Sequence, residues 1–446
     1  MSSEPQSLPF DPAEPKAALV QLPQSQAVFA LFGADAHAEP YIGRTPNLRA
    51  RLDRLLQPSR RHPRRLHLAG LVRRIEWQLT GSEFESLLVQ FSLLEQIFGA
   101  KALERMHLRS PSFVRFLGGN PYPRVVVTNR PSQREADWAF GPFPSRAAAE
   151  RFSEEALKLF LLRRCTFDLS PDPSFPGCVY SEMKMCLAPC YKGCSDERYA
   201  EEAAAVQNFL ATRGESRLVT LRTERDQASA NLEFESAAAL HAQVQRVEAV
   251  RALAAELVRP LDRLRAVILQ ASARPDEVAV FLFENGRLRG PAAFSTLGMR
   301  IQNEQSGSTS LFAQPMAIEP APEEQGPGTR GVGTKEQGVE SGENDAVEAP
   351  TANSEIQIPA AAKIPRGLLE SRLEAALSAL SAPTRPPSAT VRQAHLALVK
   401  RWYYRPEARR VGEIFFPDGD DRLPVKAILR GVGRVAARAL ESAADK

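Results

Sequence analysis

All five cysteines of this 446-residue chain fall between Cys165 and Cys194. Four of them, Cys165, Cys178, Cys186 and Cys190, are spaced C-x12-C-x7-C-x3-C, with Cys194 left over. This constrains folding because the segment must close on itself to bring its thiols together. The opening MSSEPQSLPFDPAEPK has neither the basic start nor the apolar run of a secretory signal. No stretch approaches the roughly 20 apolar residues of a membrane span. A cytoplasmic, reducing setting without a membrane partner is therefore expected, and there a cysteine cluster reads as metal ligation rather than disulfides. Four thiolates suit tetrahedral zinc or a cubane iron–sulfur cluster, and thiolate count alone does not choose between them.

The formal charge is only +4, but it is unevenly spread. Between Arg44 and Arg74 stand ten arginines and one acid, Asp53. Such density is the footprint of a polyanion-binding surface, with a solvated arginine-rich face as the alternative.

Periodicity predicts a mixed α/β (α+β) chain. Residues 1–24 read as a disordered N-terminus. Residues 25–105 form an α/β module: strands VFALF and PYIG joined by a hairpin, helix LRARLDRLL, strand RRIEWQL and helix SEFESLLVQFSLLEQIFG, giving a three-stranded sheet. A connecting α/β segment (106–163) precedes the cysteine segment (164–196). A helical region (197–258), folding back as antiparallel helices, comes next. Residues 259–300 supply a strand and a hairpin turning at Glu284-Asn285-Gly286. From 301 to 362, Gly, Pro, Glu, Gln, Ser and Thr dominate, a composition expected to form a disordered linker. A helical region (363–446) closes the chain.

Four landmarks occur in order: VF…YIGRTPNLRAR, NPYPRVVVTNRP…FGPFPSRAAAE, RRCTFDLSPDPSFPGCVYSEMKMCLAPC and NLEFESAAALHAQVQ. With these the chain resembles UvrC, the incision subunit of bacterial nucleotide excision repair, and its short relatives such as Cho. The resemblance implies a GIY-YIG-like nuclease module. It also implies a [4Fe–4S] cluster on Cys165, Cys178, Cys186 and Cys190, with zinc as the alternative. The UVR hairpin docks on UvrB in that family, and its pattern falls on Glu233, Phe234, Glu235, Ala237, Ala238 and Leu240, with His241 where an arginine is usual. Residues 259–300 resemble only the opening strands of the family's second nuclease domain.

Phosphodiester hydrolysis needs an activated water, neutralised phosphate charge and, usually, a carboxylate-held divalent cation. The family pattern places its second motif tyrosine at Tyr41, with Gly43 in the turn, and its helix arginine at Arg51. Asn47 and Arg49 match its NLR, and with Arg54 they are the expected DNA contacts. Phe29, Arg44 and Leu55 stand where the family has tyrosine, lysine and tyrosine, and Gln90 replaces the metal-binding glutamate. Glutamine keeps the size but lacks the anionic oxygen Mg²⁺ favours. Glu85 and Glu95 lie about 140° around the helix from Gln90, and Glu83 shares its face but sits about 10 Å along the axis. Two readings stay open: a Mg²⁺- or Mn²⁺-dependent endonuclease nicking one strand near a lesion, and a non-cutting paralogue that binds DNA and a UvrB-like helicase subunit and modulates the repair complex.

Overall fold

The computed structural model describes residues 4–35, 37–57, 68–130, 138–297, 299, 365–381, 387–419 and 421–444. The expected linker, 301–362, lies outside the described residues, as do Arg60, Arg61, Arg64 and Arg65.

The N-terminus departs from expectation. β1 (Gln6–Pro9) and α1 (Pro15–Gln21) are ordered, because β1 pairs antiparallel with a later strand and Phe10, Leu19 and Leu22 are buried. Then come β2 (Ala27–Gly33), β3 (Tyr41–Thr45), α2 (Leu48–Leu56), β4 (Val72–Leu79), α3 (Glu83–Phe98) and the single turn α4 (Ala102–Arg105). The sheet has four strands rather than three, ordered β1-β4-β2-β3. Leu48, Leu52, Leu55 and Leu56 turn one face of α2 into the core with α1 and the sheet.

The middle of the chain forms one body. It contains β5 (Ser112–Phe116), β6 (Val125–Thr128), β7 (Ala139–Phe143), α5 (Arg146–Leu157) and α6 (Val179–Glu182). The helices α7 (Asp196–Ala211), α8 (Glu215–Ala230) and α9 (Phe234–Ala252) and the short β8 (Arg259–Pro260) complete it. The sheet runs β6-β5-β7-β8. Val114, Phe140 and Phe152 share a core with Phe209, Leu221 and Val247, so the connecting segment and the helical region are not separate domains.

The C-terminal region is also corrected. β9 (Ala266–Ala271), β10 (Glu277–Glu284) and β11 (Arg287–Ser295) precede α10 (Arg366–Ser381), α11 (Ala389–Tyr403), β12 (Glu413–Phe415) and α12 (Val425–Ala444). β12 pairs antiparallel with β9, giving the order β11-β10-β9-β12. The expected partial strands (259–300) and helical tail (363–446) are therefore one α/β unit. Successive residues of β9 and β10 point to opposite faces. Val267, Leu269, Val278 and Val280 meet α10 and α12, while Ile268, Ala279 and Phe281 meet α3 and α11. The hairpin turns at Asn285 (φ 52°) and Gly286 (φ 73°), as its dipeptide demands.

Phe84 of α3 stands between these units, with its ring 5.3 Å from that of Phe281 and 5.4 Å from that of Trp402. Phe84→Ala is expected to cost about 3–5 kcal/mol and to destabilise the N-terminal module and the C-terminal unit together. Denaturant unfolding monitored in both regions checks this, and loss confined to one unit would contradict the shared core.

Candidate nucleic-acid interface and cysteine segment

Tyr41 opens β3 and Gln90 lies two turns into α3, and both line a cleft of about 430 Å³. Arg51 reaches the same place, its Nη2 donating to the Tyr41 hydroxyl at 3.4 Å. Phe29 is buried with its ring 6.1 Å from that of Tyr41. A Cβ on Gly43 would meet the Phe29 ring tip, Cζ, at 2.7 Å, so this glycine is required by close packing. That tip is where the hydroxyl of a tyrosine would sit. Leu55 is not part of the cleft. It is packed in the core with Leu19, Leu52 and Val72, which removes it from any catalytic arrangement.

Arg44 and Glu83 form the strongest polar feature nearby. Arg44 Nη1 donates to Glu83 Oε1 at 3.1 Å. From beyond α11, Arg405 makes a fork on the same carboxylate, Nη1 to Oε2 at 2.9 Å and Nη2 to Oε1 at 2.8 Å. Arg401 approaches to 4.0 Å. The Arg405 hydrogen bond, opposed by burial and reinforced by both guanidinium charges, holds the Glu83 carboxyl down at about 2. Both oxygens of Glu83 are thus engaged by cations. Glu85 faces away from the cleft, accepting from Gly81 N at 2.8 Å, and burial pushes its carboxyl up to about 7. Sequence reasoning missed Glu104 and His107, exposed residues at and just after α4 that line the Tyr41 cleft. Their only signal was nearness in sequence to the end of α3.

The expected DNA contacts divide. Asn47 caps α2, its side chain accepting from Ala50 N at 2.9 Å. Arg49 donates Nε to Leu22 O at 2.7 Å and Nη2 to Val20 O at 2.9 Å, tying α2 to the end of α1. Arg54 is exposed on α2 and available to a phosphate.

The cysteine segment has little core of its own. Between Cys165 and Cys194 only Ala188, Pro189 and Cys190 are buried. Its turns require left-handed backbone at Lys184, Ala188 and Lys192. None of the five cysteines is in a disulfide. Burial first, and then the neighbouring Cys178, Cys190 and Cys165, push the Cys186 thiol up. Arg163 is 1% exposed and points Nη1 at Cys165 Sγ from 3.4 Å. Its Nη1 and Nε also donate to Phe167 O and Tyr122 O, while Nη2 is buried without a partner among the described residues. A buried guanidinium with no carboxylate beside it calls for an anionic neighbour, and a four-thiolate centre is one. Among the described residues, however, no three His, Cys, Asp or Glu side chains are gathered in a metal-holding arrangement. No described helix is long and apolar enough to cross a membrane.

α8 and α9 form an antiparallel hairpin whose tip exposes two apolar side chains, Leu232 (71%) and Phe234 (68%). Glu233, Glu235 and Ala238 are exposed around them, and Ala237 and Leu240 are half-buried.

Comparison with known proteins agrees with this architecture. Residues 113–209 match the UvrC/Cho excinuclease middle domain, and residues 215–250 match the UvrB/UvrC motif, the α8–α9 hairpin. The chain is similar to UvrABC system protein C of Alcanivorax borkumensis, 29% identical over 53% of this chain and 39% of the relative. It is similar to the same protein of Carboxydothermus hydrogenoformans, 28% identical over 62% of the chain and 45% of the relative. With that of Symbiobacterium thermophilum, identity is 31% over 61% and 43%. The matched region is thus less than half the length of these relatives. No solved structure matches significantly.

Glu85 yields a pH test. Its folded value, about 7, lies above the ordinary 4.5, so the folded state holds the extra proton and stability falls as pH rises from 4.5 to 7. Glu85→Gln is expected to remove on the order of 2–3 kcal/mol of that dependence. Denaturant titrations across the window check it, and an unchanged slope would remove Glu85 as its source.

Proposed function

We propose that this UvrC-like chain acts in nucleotide excision repair as a DNA-binding component that docks on a UvrB-like subunit and does not itself cut efficiently. One observation carries the reading. Gln90 occupies the cleft position on α3, and the acid that shares its face, Glu83, is taken up by Arg44 and Arg405. A divalent cation in the cleft would meet Gln90, Leu94 and Phe98 on the α3 wall and no α3 carboxylate. Arg51 and Arg54 would contact the DNA backbone, where cations give affinity without reading sequence. The exposed Leu232 and Phe234 would supply the apolar anchor for the partner's own hairpin, with Glu233 and Glu235 at the rim. Cys165, Cys178, Cys186 and Cys190 would hold a [4Fe–4S] cluster or zinc, which supplies a rigid crosslink to a segment that lacks a core. A cytoplasmic location follows from this role.

The test is a lesion-bearing duplex with the partner subunits in Mg²⁺ or Mn²⁺. The native chain is expected to bind without nicking, and Gln90→Glu, alone and with Phe29→Tyr, to gain any nicking seen. Efficient nicking by the native chain that is lost in Glu104→Gln would overturn the reading, because the cleft would then have a metal ligand outside α3. Phe234→Ala is expected to weaken capture by the UvrB-like subunit by at least about tenfold, measured by surface plasmon resonance. Equal capture would remove the hairpin tip from the interface.

A further inference from the structure

Three guanidinium groups converge on one carboxylate where the C-terminal unit meets the N-terminal module. Arg44 comes from β3, Arg401 from the last turn of α11 and Arg405 from just beyond it, and all three face Glu83 at the start of α3. Among the described residues, Glu83 is the one carboxylate within 4.0 Å of any of them. Its carboxyl, held down at about 2, is ionised and counts as a full negative charge. Three cations against one anion leave the cluster with a net positive charge. The cluster is open to solvent, with the side chains of Arg401, Glu83, Arg44 and Arg405 exposed by 42%, 41%, 32% and 27%.

The hydrogen bonds are shared unequally. Arg405 occupies both oxygens of Glu83, at 2.9 and 2.8 Å, and Arg44 adds Nη1 alone at 3.1 Å. Arg401 stops at 4.0 Å, beyond hydrogen-bond distance, and makes no hydrogen bond among the described residues. The dipole of α11 favours a cation in its last turn, which accounts for one basic residue there. It does not account for three guanidinium groups around one acid, because like charges brought together repel. A multi-oxygen anion arriving from solvent would answer Arg401 and the part of Arg44 not used on Glu83, while Arg405 keeps the carboxylate.

The cluster lies beside the Tyr41 cleft. Ile42 and Arg44, two residues apart on β3, project to the same face, and Ile42 lines the cleft. Gln90 and Glu83 share a face of α3 and stand two turns apart, about 10 Å along the axis. The cleft and the arginines are thus neighbouring stretches of one surface. A strand of duplex advances about 3.4 Å per phosphate, so a backbone held at the cleft reaches the arginines about three phosphates further on.

We propose that Arg401 and Arg44 form a phosphate subsite for the DNA backbone, to which the C-terminal unit contributes a direct contact. The planar guanidinium fork matches phosphate oxygens in paired hydrogen bonds. Such a contact fixes the register of the strand without reading its sequence. The inference rests on the DNA-binding reading above and does not depend on whether the cleft cuts.

Fluorescence anisotropy of the full chain with a labelled duplex, followed through a KCl series, tests it. Arg401→Gln is expected to weaken binding about three- to tenfold and to reduce the slope of log affinity against log salt by about 0.9. Arg401→Lys keeps the charge and is expected to keep the slope. Arg54→Gln, on α2, reports on the N-terminal module alone. No binding by the native chain would remove the DNA-binding reading together with this subsite. Binding that weakens in Arg54→Gln but keeps full affinity and slope in Arg401→Gln would overturn the subsite and leave that reading standing. If Arg401→Gln does not fold, protection of Arg401 in the native chain from phenylglyoxal by the duplex, read by mass spectrometry, replaces it, and no protection overturns the proposal. Inorganic phosphate protecting as fully as the duplex, at equal phosphate concentration and ionic strength, would make this a site for a free anion and overturn its assignment to a strand.

Discussion

The carboxylate of Glu83 is the point at which the two ends of the chain are joined by charge. Arg44 comes from β3 and Arg405 from a position 322 residues further along than Glu83. Bidentate guanidinium–carboxylate contacts are directional as well as attractive, so they fix how the C-terminal unit sits on the N-terminal module. Glu83 is also the first residue of α3, where a negative charge meets the positive end of the helix dipole. Below this ion cluster the same helix buries Phe84, Leu87, Leu88 and Phe91 in the core shared with Phe281, Leu398 and Trp402. The charge contact is half exposed and sets geometry, whereas the apolar contact supplies most of the stability.

This arrangement has a consequence for the cleft. Gln90 is carried on the helix whose other residues are held by the C-terminal unit, so Gln90 cannot shift relative to Tyr41 without disturbing that shared core. The C-terminal unit contains no residue of the cleft lining, yet it positions one wall of it. It also withdraws Glu83 from other chemistry.

Much of the fold was legible where local chemistry decides the structure. Four leucines at helical spacing marked α2, Asn285-Gly286 marked the β10–β11 turn, and the EFES…AAALH stretch marked α9. The illegible elements depend on partners distant in sequence. β1 is four residues beside prolines and β12 is three residues, too short for a periodicity to register, and each is a strand only because β4 or β9 offers an open edge. The candidate site divides in the same way. Tyr41, Phe29 and Gln90 were found because their spacing resembles a motif. Leu55, read as standing where the motif has a tyrosine, is buried in the core, a placement that a motif match does not reveal. Glu83 as an ion-pair centre had no local sign, since a pairing across 322 residues leaves none in the sequence.

Arginine density shows most clearly how a sequence signal can be real and still overcount. Of the arginines on β3 and α2, Arg44 is committed to Glu83, Arg49 closes the end of α1, and Arg51 leans on the Tyr41 hydroxyl. Arg54, exposed on α2, is the one among these four whose described hydrogen bond is only to its own helix, at Ala50 O. A guanidinium already bonded to backbone carbonyls still contributes to the local potential, because its charge is not neutralised by a dipole. One forked onto a carboxylate does not. Among these four, the uncompensated charge is therefore that of Arg49, Arg51 and Arg54, and Arg44 joins it only when Glu83 is satisfied by Arg405 alone. On the proposed reading, salt sensitivity would count the phosphates neutralised rather than the arginines present, and the C-terminal unit, through Arg405, would influence how strongly the N-terminal module holds DNA.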